Sequence, residues 1–194
     1  MEKLERNPLR LSRAGIVMAV WGALILCMGL YNQWNFPSME TILMLWGGVT
    51  VVGLAVQGLC EVKDQRANFL AWVGVVLLGW AFTLYAIYAT NYAYFGHLGG
   101  VWLILLGLAY VPTALQIDRR YWIFAGLHFL VGGLMELSAF KLLPADMMNF
   151  LDRNTPLLIG VIGGGTLLAA AFFGRYTRET STDNPAMEAA EMPS

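Results

Sequence analysis

Tyr121 to Phe140 reads YWIFAGLHFLVGGLMELSAF, a twenty-residue block whose only strongly polar side chains are His128, Glu136 and Ser138. At a rise of about 1.5 Å per residue, a helix of this length covers the roughly 30 Å of hydrocarbon in a bilayer. No water reaches the backbone there, so the peptide groups must pair within the segment, and a transmembrane helix is expected. Working outward, comparable blocks run from Ala14 to Tyr31, Thr41 to Cys60, Phe69 to Thr90 and His97 to Gln116 on one side, and from Thr155 to Gly174 on the other. The fold class is therefore all-α: a polytopic membrane protein of six transmembrane helices, paired as three hairpins.

The composition agrees with this assignment. Of 194 residues, 58% are apolar and 13% charged, and the mean hydropathy is +0.59, far from the balance of a soluble domain. Three regions are expected: a cytoplasmic N-terminal segment over residues 1–13, a six-helix membrane domain over 14–175, and a disordered cytoplasmic tail over 176–194. The tail, mildly acidic and polar, lacks a periodic apolar face. MEKLERNPLRLSR begins like a secretory signal, but the apolar stretch behind it is too long for a signal core and no small-residue cleavage site follows, so it should be retained. A net charge of -1 without a long basic run gives no reason to expect a nucleic-acid partner. Cys27 and Cys60 fall within spans, as small buried hydrophobes rather than a disulfide.

Short polar connections separate the spans: QWNFPSME, EVKDQRA, NYAYFG, IDRR and the longer KLLPADMMNFLDRN, where Pro144 and Asp146 stop a helix before an amphipathic remainder. The basic N-terminus, Lys63 with Arg66, Arg119 with Arg120, and Arg175 with Arg178 fall on one side of the membrane. On the other side only the third loop is basic, with Lys141 and Arg153. Basic residues beside spans are held in the cytoplasm, which places both termini there. The plasma (inner) membrane is the expected location. Trp34, Trp46, Tyr92, Tyr94, Tyr121, Trp122 and Tyr176 lie near span ends, where amphipathic rings serve as interfacial anchors.

No enzyme signature is present: neither HExxH, CxxC, GxSxG nor a phosphate-cradling glycine loop occurs, and no cofactor or metal is expected. His97 sits at a span boundary, as a hydrated or structural histidine. His128 lies about 12 Å into the bilayer at the same helical rise, where it must be hydrogen-bonded or face water. Its depth does not match that of His97, as a pair of axial haem ligands would require. Glu136 is the sharpest signal, an intramembrane acid with no adjacent base. Ala125, Phe129, Gly132 and Glu136 share a helical stripe; His128 lies off it. Glu136 either snorkels to the outer interface, about 6 Å away, or faces a solute path. Glycines in every span, among them Gly47, Gly48, Gly53 and Gly58, Gly99, Gly100 and Gly107, and Gly160 and Gly163 to Gly165, favour close helix packing. Pro112 should bend the fourth helix and free a carbonyl.

Several of these segments carry a family resemblance. LYA at Leu84 to Ala86, VPTAL at Val111 to Leu115, GGLMELSAF at Gly132 to Phe140 and TPLLIGVIGGGT at Thr155 to Thr166 resemble the third to sixth helices of the urea/amide channel family (AmiS/UreI). GALILCMG and PSMETILMLWGG fit its first hairpin. The resemblance implies hexamers of six-helix protomers, each with a narrow aromatic-lined path, and would put Ile25, Tyr85, Phe129, Gly132 and Glu136 along that path. Where this chain has Gly132 and Glu136 that family favours tryptophans, and where it has Ile162 the family has an acid. GLCEVKDQRANF at Gly58 to Phe69 and IGVIGGG at Ile159 to Gly165 are similar instead to the acetate uptake transporter (YaaH-like) family, likewise hexameric; of its N-terminal motif only Asn7 and Pro8 are matched. Together these imply a channel or facilitator for urea, a short amide or a short monocarboxylate, a homo-oligomer in contact with lipid. Size and hairpin pattern are also similar to acid-stress HdeD-like membrane proteins, which would make the protein structural rather than a transporter.

Overall fold

The computed structural model describes residues 13–60, 66–91, 93–116 and 118–172. The expected N-terminal segment as far as residue 12 and the tail lie outside these residues, as do Lys63, Tyr92, Arg175, Tyr176 and Arg178. Six helices long and apolar enough to cross a membrane are present: α1 (Arg13–Asn35), α2 (Met39–Leu59), α3 (Arg66–Leu84), α4 (Leu98–Gln116), α5 (Tyr121–Ala139) and α6 (Ala145–Leu158). α3 continues through a wide π turn, Tyr85–Ala89; α6 does the same over Ile159–Gly164 and then runs on as α-helix through 165–172.

The connections at one end of the bundle are tight, and each has a local cause. Phe36 adopts a positive φ, and Ser38 then caps α2, its Oγ accepting from the Thr41 amide at 3.3 Å. α5 ends in a Schellman turn, with the Leu142 amide donating to the Leu137 carbonyl, the Lys141 amide to Ser138, and Lys141 in the left-handed region at φ 59°. Pro144 precedes the first residue of α6. Here the structure departs from the expected sixth span: ADMMNFLDRN is not a connection but the opening turns of α6, whose helix passes through Pro156 without a break. The π turn follows three residues later, close to where the missing proline amide deprives the Asp152 carbonyl of its partner. Pro112 likewise lies within α4, which stays helical to Gln116.

α1, α4, α5 and α6 form the inner layer, with α2 resting on α1 and α3 on α4. Two of the inner contacts depend on absent side chains. A Cβ on Gly29 would lie 2.5 Å from Gly160 Cα, and one on Gly22 would lie 2.7 Å from the Gly164 carbonyl, so α1 and α6 meet backbone to backbone. On α5, a Cβ at Gly132 would come within 2.9 Å of the Gly100 carbonyl of α4. Other glycines meet no neighbour within the protomer: Gly47, Gly48, Gly58 and Gly165 face open space.

The outer helices are joined by tryptophans. Trp21 of α1 rests on Gly53 of α2 and donates its indole N–H to Gln57, one turn along, at 3.3 Å. Trp102 of α4 rests on Gly79 of α3 and donates to Thr83, again one turn along, at 3.0 Å. Trp80 of α3 donates to Thr50 of α2 at 2.9 Å. Trp34 and Trp122 are exposed near helix ends, as anchors should be, but Tyr121 is buried in the core, stacked on Tyr110 with its hydroxyl bonded to the Ala170 carbonyl. Both cysteines are free, and Cys27 lies exposed on the outside of α1 rather than buried.

Candidate functional site

Glu136 has a base beside it after all. A 3₁₀ turn, Phe95–His97, leads into α4 and is closed by the His97 amide donating to the Tyr94 carbonyl at 3.1 Å. It sets His97 one turn before Gly100, opposite the last turn of α5. The close α4–α5 approach at Gly132 brings the next turn of α5 alongside, and His97 Nδ1 is hydrogen-bonded to Glu136 Oε2 at 2.6 Å, a length typical of charge-assisted bonds. The two side chains are 14% and 19% exposed, enough for contact with the exterior but not for full hydration.

The second carboxylate oxygen decides what the site can do. Glu136 Oε1 is buried and has no hydrogen-bond partner among the described residues. It lies directly over Gly100, in space that a Cβ there would occupy. Around the pair stand aromatic rings: Phe140 edge-on to the imidazole at 4.8 Å between centroids, Tyr94 at 5.8 Å, and Tyr85 stacked on Tyr94 at 6.2 Å. Two further buried oxygens without partners, Asn32 Oδ1 and Gln33 Oε1, lie at the same end of the bundle on α1, where Gln33 Nε2 donates to the Arg153 carbonyl of α6. Ser138 Oγ donates to Asp152 Oδ1 and fastens α5 to α6 nearby.

His128 belongs to a different environment. It is fully enclosed, its Nδ1 donating to the Phe124 carbonyl at 2.8 Å and its Nε2 3.5 Å from Thr166 Oγ1. The Tyr110 hydroxyl also donates to Thr166, at 3.3 Å, and Trp72, Tyr121 and Phe124 pack around the Tyr110 ring. The demand that an intramembrane histidine be hydrogen-bonded is thus met inside the protein. Among the described residues no group of three or more His, Cys, Asp or Glu side chains is placed to hold a metal ion.

The five residues expected along a path do not converge on one site. Tyr85 and Glu136 share the His97 end, linked through Tyr94 and His97. Phe129 packs on Gly107, and Gly132 on the Gly100 and Ile104 backbone, so the stripe from Phe129 to Glu136 lies on the face that α5 presents to α4, while Ala125 sits in the buried core. Ile25 lies in the core, among residues that include Met18, Tyr110 and Leu167. His97, Gly100 and Tyr94 were missed as parts of the site. The usable signal was depth: His97 begins the fourth span and Glu136 lies within two turns of the end of the fifth, so the two must lie at the same face of an antiparallel hairpin. No protein-family model matches this chain, and no curated protein or solved structure matches it either.

Proposed function

We propose that the protein passes a small polar solute across the plasma (inner) membrane, with the Glu136–His97 pair as its first polar contact on the outer side and both termini in the cytoplasm. The observation that carries this reading is the buried carboxylate oxygen left without a donor inside a bundle of apolar helices. Intramembrane acids are costly to keep and mark solute or proton pathways when they are not fully paired. Of the solutes suggested by resemblance, an amide suits the site better than a short monocarboxylate, because an amide N–H can reach Oε1 whereas a second carboxylate would meet it with like charge. The enclosed Tyr110–Thr166–His128 network favours a second reading, a structural membrane protein without a solute.

Purified protein in liposomes, mixed rapidly with urea, acetamide or acetate and followed by light scattering, separates the two. Transport predicts entry of at least one solute several-fold faster than in protein-free vesicles, and a loss of most of that gain in Glu136→Gln. Entry no faster than in empty vesicles for every small polar solute tried, cationic solutes included, would overturn transport and leave the structural reading.

A further inference from the structure

Resting on the transport reading, we infer that the Glu136–His97 site selects a planar cation that only donates hydrogen bonds, guanidinium and its small N-alkyl relatives. What the site lacks is donors to its own oxygens. Oε1 of Glu136 is an acceptor without a partner, and a carboxylate offers about four acceptor positions of which the histidine occupies one. A urea or amide would satisfy some of these groups but would bring a carbonyl of its own that needs a donor in turn. Guanidinium has the shape of urea, with that carbonyl replaced by a third N–H group and a positive charge.

The rings support the same choice. Guanidinium planes stack on aromatic faces and are weakly hydrated, so they leave water more readily than compact ammonium groups. Tyr85 and Tyr94 form a stacked pair with both rings about half exposed, and Tyr94 and Phe140 flank the imidazole. A planar cation entering past Tyr94 would thus move from an aromatic face to a carboxylate oxygen. Gly100 leaves room for that oxygen, since a side chain there would occupy its position.

The test compares guanidinium with urea, its neutral counterpart of equal shape, in the same liposomes. Uptake of labelled guanidinium is measured with the membrane potential clamped by a potassium ionophore, and urea entry by light scattering. The expected result is a guanidinium permeability, relative to empty vesicles, at least about tenfold above that of urea, as a charge-assisted contact implies. Methylguanidinium should compete and acetate should not. Glu136→Gln should remove the preference, and Tyr94→Leu, at an exposed position where folding is not at risk, should weaken it several-fold. Urea or acetamide entering faster than guanidinium, or a preference unchanged in Tyr94→Leu and Glu136→Gln, would overturn this inference and leave transport standing. No solute entering faster than in empty vesicles would remove both.

Discussion

The Glu136–His97 bond joins two residues 39 positions apart, across the close contact of α4 with α5. Removing the histidine leaves a largely buried carboxylate with neither oxygen paired. His97→Phe should therefore destabilise the protein by about 1.5–3 kcal/mol, the usual contribution of a hydrogen bond to a charged group. In the double variant with Glu136→Leu much of that loss should return, because the orphaned charge has gone. A double-mutant cycle in reversible unfolding from mild detergent into denaturing detergent measures the coupling; additivity of the two single effects would show that the bond contributes nothing. At this scale the sequence revealed the acid but not its partner. Glu136 stands out because apolar residues surround it, whereas His97 looks ordinary at a span boundary, and only antiparallel pairing of α4 with α5 makes the two neighbours. The stripe from Ala125 to Glu136 was legible as a face, but not that its part from Phe129 to Glu136 meets α4, since small and aromatic residues suit a packed seam and a solute path equally well.

Helices in lipid gain little from hiding apolar surface from one another, so their contacts rest on close packing and a few interhelical hydrogen bonds. The glycines test this directly, since a methyl group at Gly29 would meet the Gly160 backbone of α6 while one at Gly58 would meet nothing. Gly29→Ala should lower the midpoint of thermal unfolding by many degrees, reflecting a loss of about 1–3 kcal/mol from overpacking, whereas Gly58→Ala should leave it unchanged or raise it slightly. Equal effects at the two positions would mean that the α1–α6 approach is not what holds these helices. The six spans were readable from hydropathy and length alone. What escaped was the true start of α6, because Asp146, Asn149, Asp152, Arg153 and Asn154 make its first turns too polar to count as membrane-spanning. Equally hidden were the tryptophan seats, in which a glycine and a hydrogen-bonding residue one turn apart on one helix receive an indole from another. Nothing in the order of residues says which ring comes to which glycine.

Across the whole molecule, burial is uneven. Half of the α4 span is buried within the protein but only 17% of the α2 span, and α2 leans mainly on α1, pinned by the Trp21–Gln57 and Trp80–Thr50 bonds. Local opening follows buried contact. Amide hydrogen exchange in detergent micelles should therefore be faster in the middle of α2 than in the middle of α4, with Trp21→Phe accelerating α2 selectively; uniform protection across the two helices would contradict the layered arrangement. The place of α6 between α1 and the α4–α5 pair has a further consequence during synthesis. Several helices can dock on one already made, α2 on α1, α4 on α3 and α5 on α4, but the glycine face of α1 lacks its partner until α6 emerges. Lipid chains must fill that groove while α2 to α5 are made and must then be expelled. The bundle thus reaches its native form only when α1 and α6, separated in synthesis by four other helices, find each other.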